Sequence, residues 1–299
     1  DLKQHIAAGT SLAEALRKQP RYFDKLYCNL VAAGEQAGAL ETLLDRVAIH
    51  REKSEQLNAR IKKAMTYPVA VLVVASLVTG ILLVHVVPQF QALFAGVDSK
   101  LPAFTLYVIA WSAFMQHAWW MLVLGIAAGA IGLRQAYRTS SGFRYWLDAG
   151  LLKTPLAGKL LTKSAVARYA RTLSTTFAAG VPLVQALDSV AGAVGNGPFK
   201  QAIEHMRHDV STGMQLNQSM ANSGLFPGMA IQMTAIGEES GTLEHMLEKV
   251  ANHYETDVDN QVDNLTSLME PLIMMVLGGI VGALVIAMYL PVFQLGSAF

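Results

Sequence analysis

Two stretches of this chain, 69–87 and 272–290, contain no Asp, Glu, Lys or Arg, and each lies between prolines: Pro68 and Pro88, then Pro271 and Pro291. A helix of that length covers about 28 Å at 1.5 Å per residue, close to the ~30 Å hydrocarbon core of a bilayer. A third apolar run, 113–133, has Trp119 and Trp120 near its start and Arg134 just after its end. The apolar residues 104–114 ahead of it fit an interfacial position better than an extension of the span. The rest of the chain reads as helix. Apolar residues at 243, 246, 247, 250, 254 and 258 make one buried stripe on a helix that starts at Leu243. Glycine and proline punctuation predicts further helices over 163–178, 182–194, 199–212, 215–222 and 227–236. The N-terminal part gives 12–17, 23–33 and 40–64, and alternating strand patterns are absent.

The first and last spans belong to a repeat. Residues 34–68 recur 203 positions later without a gap, with Gly34-Glu35-Gln36-Ala37-Gly38-Ala39-Leu40-Glu41 answered by Gly237-Glu238-Glu239-Ser240-Gly241-Thr242-Leu243-Glu244. The same offset pairs Leu44 with Leu247, Val47 with Val250, His50 with His253 and Phe90 with Phe293. An offset held over almost sixty residues is the mark of a duplicated unit. It predicts a counterpart of 168–205 ahead of Asp1, in a portion missing from the N-terminus. The predicted class is an all-α membrane protein with two repeated cytoplasmic helical-bundle modules and three transmembrane helices.

Charge sets the expected orientation. Only 15% of the residues are charged, against about 25% in a soluble domain, and the mean hydropathy is +0.35. Arg60, Lys62 and Lys63 precede the first span, and Arg134, Arg138, Arg144, Lys153, Lys159 and Lys163 follow the second. Between those spans stands one base, Lys100. The positive-inside rule therefore places both modules in the cytoplasm, and the middle span restores the parallel orientation of the two copies. The expected layout is a truncated first module 1–67, span 68–90, periplasmic or interfacial connection 91–112, span 113–133, second module 134–270, span 271–295 and periplasmic tail 296–299. A lone Cys28 forms no intramolecular disulfide, and a net charge of +1 argues against a nucleic-acid partner.

Several chemistries have no motif here. There is no Gly-x-x-x-x-Gly-Lys-Ser/Thr phosphate loop, no His-Glu-x-x-His and no Gly-x-Ser-x-Gly. Spans without Asp, Glu, Lys or Arg disfavour an ion-coupled transporter. No catalytic, cofactor or metal residue is assigned, and the chain is not expected to be an enzyme. The candidate interface residues are acidic: Glu35, Glu238 and Glu239, read as lying at the tips of Gly-Glu turns, and Asp259 and Asp263. Glu255, Asp259 and Asp263 stand four apart, so they stack on one helix face; a solvated face, a basic partner and a cation are the competing readings. Pro68 and Pro271 are read as the points where the cytoplasmic helices enter the membrane, kinked there or hinged.

At Gly34–Glu41 and Gly237–Glu244, at Ala165-Val-Ala-Arg-Tyr-Ala-Arg-Thr-Leu-Ser-Thr-Thr-Phe-Ala-Ala-Gly-Val-Pro-Leu-Val184 and at Ala235-Ile-Gly-Glu-Glu-Ser-Gly241, the chain resembles the type II secretion F family. Met269-Glu-Pro271 and Tyr289-Leu-Pro-Val-Phe-Gln-Leu295 are most similar to its pilus-type members. The resemblance implies a non-enzymatic platform in the bacterial inner membrane. Such a platform couples a cytoplasmic hexameric ATPase, for assembly or for retraction, to extraction of pilin or pseudopilin from the bilayer. It also implies inner-membrane alignment proteins as partners and a homo-oligomer. Type IV pilus assembly, type II secretion and, further off, membrane transport are the functions in competition.

Overall fold

Helix is the outcome wherever the repeat places a long apolar stripe. The computed structural model describes residues 2–296 apart from 20, 21, 24, 39, 95–101 and 156, and every regular element among them is helical. Lys100 and most of the expected tail 296–299 lie outside the described residues.

The N-terminal part forms α1 (Leu2–Ala7), α2 (Leu12–Arg17) and α3 (Lys25–Ala37), and then the long α4 (Leu40–Ile81). A π-helical turn at Leu82–Val86 leads into α5 (Val87–Phe94). The middle holds α6 (Ala103–Thr139) and α7 (Ser141–Leu152). Six more follow: α8 (Ala157–Ala178), α9 (Leu183–Ala193), α10 (Gly197–Ser211), α11 (Leu216–Ser223), α12 (Gly228–Ser240) and α13 (Leu243–Gly296).

The chain divides into two compact units, Asp1–Ile61 with Ser140–Val262, and Lys62–Thr139 with Asp263–Phe299. The first unit thus takes in residues from both soluble modules outlined from the sequence. Its main core collects α8 to α13 around Tyr169, Phe199 and Phe226, whose rings meet at 4.8 and 5.4 Å. Leu173, Leu187, Ile203, Leu216, Met220 and Leu247 fill the space around them and are fully buried. A smaller core joins Ala13, Leu16, Cys28 and Val31. The two meet along α3 and α9, where Ala33 packs on the main core and Asn29 Nδ2 donates to Ser189 Oγ at 3.0 Å.

In the second unit, Leu83, Val87 and Leu284 pack with Val108, Ile109 and Met115. Two side-chain hydroxyls add polar ties: Thr105 Oγ1 donates to the Ala287 carbonyl at 2.8 Å, and Ser112 Oγ to that of Leu83. The Leu83 carbonyl belongs to the π turn, one residue before the carbonyl that Pro88 would crowd in a regular helix. A wider turn followed by a hydroxyl donor is how a membrane helix absorbs a proline.

Two helical stretches, Thr66–Phe90 and Leu243–Leu290, are long and apolar enough to cross a membrane. A third passes only as a bent pair within α6, Ala103–Met121 and Val123–Tyr137, at 45°. The helix α6 extends beyond the expected span 113–133 at both ends. Residues 104–114 continue the same helix instead of separating from it, since no proline stands anywhere between 103 and 139.

Candidate interface residues and the helix caps they form

Each Gly-Glu motif proves to be helix up to its second glycine. α3 runs to Ala37 and α12 to Ser240, and only Gly38 and Gly241 take up the left-handed conformation, at φ of 66° and 69°. These are C′ glycines, whose left-handed conformation ends each helix without a Cβ penalty. Gly237 has a different task. A Cβ there would stand 2.9 Å from the Leu243 Cα, so the missing side chain is what lets α12 close onto α13.

The expected display of Glu35 and Glu238 at loop tips is therefore corrected. The Glu238 carboxylate turns inward and accepts from the Leu216 and Asn217 backbone N–H groups at 2.7 and 2.9 Å, and from Asn217 Nδ2 at 2.7 Å. Glu35 does the same in the first copy, accepting from Leu12 and Ala13 N–H at 2.6 and 3.0 Å. Each is an N-terminal cap supplied from a distance, over 22 or 23 residues, to α11 and α2 respectively. The first turn of a helix has N–H groups without intrahelical partners and carries the positive end of the dipole, so a carboxylate stabilises it twice over. Gln215, at the N-cap of α11, makes no side-chain cap bond, so α11 takes its acceptor from Glu238. Tyr169 lies beside this cap. Burial, and then the Glu238 charge, raise its hydroxyl well above the usual tyrosine range, and it donates to Met220 Sδ at 3.5 Å.

The acidic stripe on α13 is largely matched by bases of this chain. Arg171 clasps Glu255 with Nε and a terminal nitrogen, at 2.9 and 2.8 Å, and also binds Asn252 Oδ1. Lys163 meets Asp257 at 2.6 Å, and Arg60 on α4 meets Asp259 at 2.7 Å. Intramolecular cations thus relieve the repulsion that the four-residue spacing creates. Asp263, one turn further on, is exposed, and so is Glu239 beside its capped neighbour. Burial, followed by the Asp257 charge, raises the Tyr254 hydroxyl. Among the described residues no cluster of three or more His, Cys, Asp or Glu could hold a metal ion.

Pro68 and Pro271 lie inside unbroken helices, α4 and α13. Hydroxyls of nearby residues bond back to the preceding turn: Thr66 Oγ1 to the Lys62 carbonyl and Ser267 Oγ to that of Asn264, both at 2.9 Å.

The family model described as type II secretion system (T2SS), protein F matches residues 1–88 and again 169–291, two matches whose ends lie 203 positions apart. The chain belongs to this family. It is 60% identical to the type IV pilus assembly protein PilC of Pseudomonas aeruginosa over 99% of its own length and 79% of that protein. It is 54% identical to the type IV pilus assembly protein TapC of Aeromonas hydrophila, over 98% of the chain and 71% of the relative. The type II secretion system protein F of Xanthomonas campestris is 35% identical, over 100% of the chain and 73% of the relative.

Proposed function

We propose that this chain is the inner-membrane platform of a type IV pilus assembly machine, coupling a cytoplasmic ATPase to the extraction and polymerisation of pilin. The observation that carries the reading is identity of 60% across 99% of the chain with a pilus assembly protein, against 35% with a secretion protein F. The spans are apolar enough to pack against pilin helices, and the absence of a phosphate-loop motif leaves nucleotide turnover to a partner. In this reading the duplicated soluble modules both face the cytoplasm, three helices cross the bilayer, and the platform works as a homo-oligomer alongside alignment proteins.

Glu239 and Asp263 are separate contact points for basic residues of the partners. Each is exposed, and neither is needed for a cap. Glu35, Glu238 and Asp259 have internal partners and act on assembly through the fold.

Gene deletion with complementation tests the function. A pilus platform predicts lost twitching motility and intact exoprotein secretion, both restored by the wild-type gene. Lost secretion with normal pili would move the chain to the type II system. A purified chain that binds and hydrolyses ATP by itself would overturn both readings.

A further inference from the structure

The geometry points to α7 as a membrane-surface helix, with Trp146 and Tyr145 seated in the interfacial layer of the bilayer and neighbouring bases drawing anionic headgroups. The inference rests on reading α6 as a membrane crossing.

α7 has one face that the fold uses and one that it does not. On the inner face, buried Asp148 accepts from the Gly197 backbone N–H at 2.8 Å and so caps α10, while Leu152 packs on the main core. The outer face carries Trp146 at 70% exposure, while Tyr145, at 45%, stands at its edge beside Gly197 of α10. Phe143 stacks on Trp146, with ring centroids 6.4 Å apart and planes at 29°. A tryptophan left this open beside a stacked phenylalanine is a costly surface in water. Tryptophan and tyrosine are the side chains that favour the headgroup level of a bilayer.

The chain itself says what covers this face. α6 ends at Thr139 and α7 begins at Ser141, so Trp146 follows the last residue of α6 by seven positions. Even fully extended, that distance is about 25 Å, and as helix it is about 10 Å. A face tethered so close to a crossing helix meets the bilayer surface at very high local concentration, whatever else is in the cell. Charge fits the same occupant. From 134 to 159 the sequence holds five bases, Arg134, Arg138, Arg144, Lys153 and Lys159, and one acid, the buried Asp148, while Lys163 beyond them is taken up by Asp257. Aromatic residues on one side with a surplus of bases around them is the pattern of a helix lying on an anionic leaflet.

The test places an environment-sensitive fluorophore on single cysteines, Trp146→Cys and, as control, Glu204→Cys on the exposed side of α10, in a Cys28→Ala background. The full-length protein is held in nanodiscs containing phosphatidylglycerol and a headgroup-level spin-labelled lipid. We expect the probe at 146 to be quenched at least twofold more than at 204, with blue-shifted emission. Equal quenching at the two positions overturns the inference. Membrane-impermeant thiol reagents applied to Phe104→Cys and Ser140→Cys from either side of the membrane test the parent reading separately. Labelling of both from one side would refute the crossing by α6, while the quenching result would still decide whether α7 touches lipid.

Discussion

The two copies of the Gly-Glu motif do the same work, whereas the long helices that follow them have drifted apart in charge. Glu35 and Glu238 stand 203 residues apart and each ties down the N-terminus of another helix in its own half. Further along, the same offset sets basic Arg60 against acidic Asp263, and neutral Gln56 against Asp259, which Arg60 reaches at 2.7 Å. Residues that stayed alike hold each copy together. Among the residues that diverged are Arg60 and Asp259, which pair with each other between α4 and α13. A repeat read only for identity finds the first class and gives no clue to the second.

The largest effect should come from the closest approach within the motif. Gly237→Ala drives a Cβ against the Leu243 backbone and should cost about 2–3 kcal/mol in unfolding experiments on protein in detergent micelles. An unchanged midpoint would mean that α12 and α13 have room to part. Next comes the cap. Glu238→Ala strips partners from two backbone N–H groups and one side-chain amide, and should cost about 2 kcal/mol. Glu35→Ala removes two partners next to a smaller core and should cost less, about 1 kcal/mol. Equal costs would break the idea that the second copy carries the main fold.

Ion pairs come last and are best measured by double-mutant cycles. The Arg171–Glu255 pair is bidentate, with side chains 13% and 19% exposed, and should show a coupling of about 1 kcal/mol. Arg60–Asp259, at 59% and 30% exposed, should give only a few tenths of a kcal/mol, falling further in high salt. A larger coupling for the second pair would show that recognition between the copies is a main source of stability.

Much of this was legible in the sequence, and what was not has a physical cause. Apolar runs between prolines located the helices that are long enough to span, and the stripe from Leu243 located the buried face of α13, where Leu247, Val250, Tyr254 and Val258 are all buried. Helix ends were set too early at 236 and 33, because Gly237 and Gly34 were read as turn residues. Inside a helix, a glycine that permits close packing looks the same in sequence as one that ends it. The direction of the Glu238 side chain depends on where α11 begins, 22 residues away, and a local pattern does not encode that. The α13 acids were judged by their mutual spacing alone, while the bases that answer them sit on α8 and α4, 84 to 199 positions away.

Glu238→Lys, assayed in cells for the amount of folded, membrane-inserted protein alongside pilus number, tests most directly whether the repeated glutamate is a strut or a docking point. A lysine places a positive charge against the positive end of α11, so a structural cap predicts that folded protein falls sharply and pili fall with it. Glu239→Lys, one residue away and exposed, should leave the protein level unchanged. A full level of inserted Glu238→Lys protein in cells without pili would contradict the structural role and return the residue to the partner interface.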